Sequence, residues 1–300
     1  MRSRSTVRHP IIAAAVFALT ASLDAAAQAQ SVSGQFTLAG KPLKPTHVAA
    51  FRVRDQRAPR SMQTYVMLTL APVDVEAIRT ALDPYATSIN DKAVLTSDNI
   101  AVYVSADGQV HFNAHVGDTQ YLDSSAAMMG VPGSLAATCG ENTAARVACT
   151  VKTTRPVKPM DGPTWTLDVS FASPIATRTP GTVMSPDGGV AGQELLALVG
   201  AVGGKDLSKI VALLAPGQAK SYQETWRTPA ENLASAKDIL SVRLPKQPKI
   251  TGGELWAEDH AVLEVEGTPF PDSKTLYLVE MQRIDGHWKY ANSVPAGSLR

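Results

Sequence analysis

Lys274-Thr275-Leu276-Tyr277-Leu278-Val279-Glu280-Met281-Gln282-Arg283-Ile284 is followed by Asp285-Gly286 and then by His287-Trp288-Lys289-Tyr290-Ala291-Asn292-Ser293-Val294. Both long runs are rich in aliphatic and aromatic side chains. The Asp-Gly pair between them tolerates the positive φ angles of a tight two-residue turn, so the stretch predicts a β-hairpin. Two shorter strand patterns precede it, at 254–257 and 260–266. The chain is therefore expected to close on a four-strand antiparallel meander.

Upstream, the apolar period changes from that of a strand to that of a helix. Leu195, Leu196, Val199 and Val202 form a stripe that Gly203-Gly204 ends. Asp206 is placed to cap a second helix through Leu207, Ile210, Val211 and Leu214, with Pro216-Gly217 as its stop. Thr228-Pro229-Ala230-Glu231 reads as a capping box that starts a third, carrying Leu233, Lys237 and Leu240. Helices first and a meander last predict an α+β domain over 191–300 whose curved sheet packs on one helical layer.

The preceding part, residues 30–175, reads as β-rich. Runs 63–70, 99–105 and 165–171 carry β-branched and aromatic residues, and Asp107-Gly108 signals a hairpin. One short helix, with Val75, Ile78 and Leu82 after Pro72, is expected to end at Pro84. A sandwich-like domain is the natural architecture. Proline and glycine crowd residues 172–192, so 176–190 is expected to be a linker between two domains.

The run 195–214, with Gly204-Lys205-Asp206-Leu207 before a helix ending at Leu213-Leu214, is followed by Glu258-Asp259-His260-Ala261-Val262-Leu263-Glu264-Val265. Then come Leu278-Val279 and Asp285-Gly286-His287-Trp288-Lys289. In that order these segments resemble the ketosteroid isomerase and nuclear transport factor two superfamily, over roughly 190–294. The resemblance implies a cone-shaped α+β fold. It does not imply one activity, because that scaffold serves both enzymes and non-catalytic modules.

Arg2, Arg4 and Arg8, an apolar run over 11–23 and Ala27-Gln28-Ala29 have the order of a secretory leader, cleaved near Ala29. The apolar run is shorter than the ~20 residues a membrane-spanning helix needs. A periplasmic or secreted protein without a membrane span is expected. Loss of the leader removes Arg2, Arg4, Arg8 and Asp24 and takes the formal charge from +1 to −1. That balance argues against nucleic acid as a partner, since phosphate contacts need a basic excess. The two cysteines, Cys139 and Cys149, flank a turn-forming Gly140-Glu141-Asn142, and in an oxidising compartment they predict a disulfide across a hairpin.

Candidate chemistry concentrates on the strand 259–266. Alternation puts His260, Val262, Glu264 and Glu266 on one face and Ala261, Leu263 and Val265 on the other. If the polar face lined a cavity, His260 and Glu264 would be an acid–base pair of isomerase or dehydratase type. The plainer reading has the charges in water and the aliphatic residues in the core. Trp226, Trp256 and Tyr277 are the aromatics expected to line an apolar pocket, although sheet-to-helix packing also uses such residues.

His111 and His115 share a strand face but lack a third ligand nearby, so no metal is expected. Residues 200–206 resemble a phosphate loop only faintly, because Asp206 stands where serine or threonine is needed. Arg52, Arg54, Arg57 and Arg60 read as a solvated strand edge. No motif calls for a cofactor. The sequence favours a non-catalytic binding protein for a small apolar ligand, an envelope component or a protein partner.

Overall fold

The computed structural model describes residues 30–55, 58–122, 134–159, 162–223, 227–269 and 273–299; the leader at 1–29, Arg57 and Trp226 lie outside them. The chain is α+β. Its first half contains β1 (Ser31–Leu38), β2 (Lys41–Leu43), β3 (His47–Asp55), β4 (Ala58–Thr69), helices α1 (Val75–Thr80), α2 (Pro84–Ile89) and α3 (Lys92–Leu95), and β5 (Asn99–Val104). β6 (Val110–Val116), β7 (Thr119–Leu122), β8 (Leu135–Asn142), β9 (Arg146–Thr153) and β10 (Trp165–Ala176) complete it.

These strands form one ten-stranded sheet in which β10 is the join. Most of β10 pairs antiparallel with β1 and β9, while its end runs parallel to β3, Ile175 opposite Ala50 and Ala176 opposite Phe51. A strand shared in this way curls the sheet over itself. Phe36, Val66, Val102, Phe112, Trp165, Leu167 and Val169 meet in its interior, each at most 2% exposed. Cys139 and Cys149 lie opposite each other on β8 and β9 and are disulfide-bonded.

The outer face of β3 to β5 is also apolar. Ala49, Phe51, Val53, Tyr65 and Met67 are covered there by Ile78 of α1 and Tyr85 of α2. Pro84 opens α2 where it was expected to end a helix. Asp83 caps it, accepting the Ala86 amide at 3.0 Å, and a proline in the first turn lacks only an N–H that has no helical partner.

The second half begins with β11 (Thr182–Val183) and continues with α4 (Gly189–Gly203), α5 (Leu207–Ala212), α6 (Pro216–Lys220) and α7 (Pro229–Arg243). β12 (Lys249–Ala257), β13 (His260–Gly267), β14 (Lys274–Ile284) and β15 (His287–Leu299) follow. The five strands form an antiparallel sheet in sequence order. At its last turn Asp285 and Gly286 have φ of 52° and 82°, the left-handed pair that the Asp-Gly signal predicts. The capping box is present: Thr228 N–H donates to Glu231 at 2.8 Å and the Glu231 amide to Thr228 Oγ1 at 3.3 Å.

Helices cover one face of this sheet. Ala191, Leu195, Leu198, Ile210, Ala236 and Leu240 pack on Ala261, Leu263, Val265, Tyr277, Val279 and Met281. Leu198 takes the core position expected of Leu196, which is exposed, because Leu195 and Leu198 are three residues apart on one helix face. Pro216 opens α6 and does not end the helical region.

Part of the segment 176–190, expected to be a linker, is bonded into the second sheet. β11 pairs with β12, Thr182 opposite Leu255, and the Met184 amide donates to the Gly253 carbonyl at 2.9 Å. Glycines in this segment and just after it serve close approach. A Cβ on Gly181 would stand 2.5 Å from the Leu255 carbonyl oxygen, and one on Gly192 would stand 2.0 Å from that of Asp187. Among the described residues, no helix is long and apolar enough to cross a membrane.

Candidate functional site

β13 alternates as its sequence requires, with Ala261, Leu263 and Val265 turned to the helices. Its other face, however, does not look into water. Val262 is 5% exposed, and Leu276 and Leu278 on the adjacent strand are 0% and 9% exposed, so that face is covered as well, with aliphatic residues between its charges. The cover comes from the first half of the chain. The β3–β4 hairpin reaches over, Arg54 meeting Glu264 and Arg60 meeting Glu266, each at 2.5 Å. Arg54 and Arg60 of the arginine run are thus no solvated edge. Arg54 and Arg60 neutralise two carboxylates that alternation places on one face of β13.

Between the hairpin and the sheet lies a cleft of about 630 Å³. Its sheet wall is Gly252, Gly253, Glu254, Trp256, Val262, Glu264, Leu278, Val294, Pro295 and Ala296. The opposite wall carries Arg52, Val53, Arg54, Arg60, Met62 and Arg79, together with the α1–α2 turn from Ala81 to Tyr85. Ala176, Thr177, Arg178, Pro180 and Val183 close one side. A volume of this size falls in the roughly 300–1,000 Å³ range of small-molecule sites.

The polar groups of the cleft are mostly fixed by partners. Arg178 lies over the Trp256 ring, 3.4 Å from its centroid, and donates to Glu254 at 2.9 Å. Such a stacked guanidinium stabilises by about 0.5–2 kcal/mol and holds the indole at the cleft wall. Arg79 forms two hydrogen bonds to Glu76, of 2.6 and 2.7 Å. Tyr85 packs against Tyr65 and Tyr103 with ring centroids 5.4 and 6.4 Å away. Burial holds the Tyr65 and Tyr103 phenols well above the ordinary tyrosine range, so they stay neutral.

The expected pair of His260 and Glu264 does not meet. Four residues along one strand is about 13 Å, beyond contact, and Glu264 is taken by Arg54. His260 Nε2 instead lies 2.9 Å from Glu280 Oε1, at ion-pair distance but without hydrogen-bond alignment, and its ring is 5.1 Å from that of Trp256. Register explains the choice: His260 is opposite Gln282 and Val262 opposite Glu280, which puts Glu280 on the diagonal of the same face.

Trp256 and Tyr277 do not share a pocket. Trp256 lines the cleft, whereas Tyr277 is buried in the core under the helices, on the other face of the sheet. His111 and His115 emerge on an exposed strand face. No group of three or more metal-ligating side chains occurs among the described residues. Gly203 ends α4 and Asp206 caps α5, so helix termination accounts for the glycine-rich run at 200–206.

Sequence reasoning does not find the cleft. It misses Arg79 of α1, Leu278 of β14, Val294 of β15 and Arg178 of the segment between β10 and β11. One signal is present. Val262, Leu276 and Leu278 break the polar alternation of their strands, and Arg52 and Arg54, two residues apart on β3, share one face. No family model matches this chain, and no curated protein matches it.

Proposed function

We propose that the chain is an exported, non-catalytic binding protein that holds a small ligand with an apolar body in the cleft between its two sheets. The observation that carries this reading is the apolar sheet wall of Trp256, Val262, Leu278, Val294 and Pro295, facing a cavity of about 630 Å³. Export is supported by the leader-like order of residues 1–29 and by the Cys139–Cys149 disulfide. An envelope component with an acyl or aromatic part fits such a wall. The isomerase or dehydratase alternative is weakened because Glu264, one member of its expected acid–base pair, is bound by Arg54.

A two-domain organisation belongs to the same proposal, with a sandwich-like first half and a second half of cone-like type, similar to ketosteroid isomerase and nuclear transport factor two proteins. Its support is the separate hydrophobic core of each half and the order of helices followed by a meander. The test is a melting curve of the mature chain with and without dodecanol. A ligand of the native state raises the midpoint in proportion to the logarithm of its concentration, and an unchanged midpoint across neutral apolar probes counts against the reading.

A further inference from the structure

Among the described residues of the cleft lining, Arg52 is the arginine that meets no carboxylate. Arg54, Arg60, Arg79 and Arg178 are each paired with an acid, and Asp83, the remaining acid of the wall, turns to the Ala86 amide as the cap of α2. Arg52 is half-buried and is held by neutral groups. Its Nη1 donates to Thr64 Oγ1 at 2.9 Å, the Thr64 hydroxyl donates to Asn142 Oδ1 at 3.2 Å, and Asn142 Nδ2 donates to the Ser105 carbonyl at 3.1 Å. Thr64 is fully buried, so the guanidinium is anchored by a rigid network. A fixed cation partly withdrawn from water and unmatched by an anion is costly unless something neutralises it.

We propose that the ligand is an amphipathic acid, its anionic head on Arg52 and its apolar body along the sheet wall of Val262, Leu278 and Val294. This rests on the cleft being the binding site. The two walls divide the work: the hairpin wall carries the positive charge, and the facing sheet supplies the aliphatic surface. Arg52 keeps donors beyond the one given to Thr64, and a planar guanidinium presents them in the fork that matches a carboxylate. Arg54 is spent, since it serves both the Pro59 carbonyl at 2.9 Å and Glu264.

The experiment titrates the mature chain with dodecanoate, dodecanol and dodecylamine at neutral pH, read by intrinsic fluorescence. Dodecanoate is expected to bind about tenfold more tightly than dodecanol, and dodecylamine most weakly. Arg52→Gln should bring dodecanoate to within about threefold of dodecanol. Arg52→Lys, which keeps the charge but loses the fork, should fall between. Equal binding of acid and alcohol by the native chain overturns this inference and leaves the cleft reading standing, whether or not either variant folds. Binding of none of the three overturns both, and an acid preference that survives Arg52→Gln overturns the assignment to Arg52.

Discussion

Arg54 and Glu264 are 210 positions apart in sequence and meet at 2.5 Å, tying the β3–β4 hairpin to β13. Their side chains are 26% and 29% exposed, so the pair is neither fully screened nor fully desolvated. A double-mutant cycle with Arg54→Ala and Glu264→Gln, followed by urea denaturation, should give a coupling of about 1 kcal/mol. The Arg60–Glu266 pair has its arginine 53% exposed and should couple less. Zero coupling at both pairs would mean that the halves are not joined through this face.

Gly192→Ala should destabilise by about 2 kcal/mol or more, because the added Cβ would sit 2.0 Å from the Asp187 carbonyl oxygen and 2.8 Å from Ile250. Gly200→Ala, on the same helix with open space around it, should stabilise by roughly 0.5–1 kcal/mol. Thermal melts of the two variants separate the effects. A Gly192→Ala chain as stable as the wild type would return 176–190 to the status of a loose linker.

Replacing Cys139 and Cys149 together by alanine should lower stability by about 2–3 kcal/mol, the loop-closure contribution of a short closed loop. Alkylation of the native chain without reductant should leave both sulfurs unmodified. Two labelled cysteines in the native chain would contradict the bond.

Acid sensitivity should be traceable to two carboxylates at helix starts. The Ser208 hydroxyl, 2.6 Å from Asp206, and the Ser185 hydroxyl, 2.5 Å from Asp187, are the main causes that hold these carboxyls below the usual aspartate range. A depressed native value means stability that is present above the unfolded-state value near 3.9 and is lost as pH falls through the native one. Ser208→Ala should therefore be less stable than the wild type at neutral pH, and the two stability curves should converge on acidification. Curves that stay parallel would show that the hydroxyl does not act through the carboxylate.

The elements with strong local signals are legible in the sequence itself. Asp285-Gly286 can serve only as a tight turn, Thr228 to Glu231 spells a helix start, and the β14 and β15 runs are long enough to outweigh ambiguity. Proline is less legible. Pro84 and Pro216 each begin a helix where the sequence suggests an end, because a residue that cannot continue a helix is well suited to open one. The glycines near 181–192 suggest slack, though two of them allow backbones to touch. The cleft is illegible for a different reason. Its two walls are joined by contacts more than 200 residues apart, such as Arg60 with Glu266, and local periodicity carries no information about which faces meet.

The most direct test of the central claim is the stoichiometry and affinity of a neutral, apolar fluorescent dye bound by the mature chain and by Met62→Glu and Val183→Glu. Met62 and Val183 line the cleft and are 37% and 81% exposed, so a charge there should spare the fold. One saturable site is expected in the wild type, weakened about tenfold or more by either substitution while circular dichroism is unchanged. Saturable binding of undiminished affinity in both folded variants would place the dye elsewhere and contradict the cleft as the binding site.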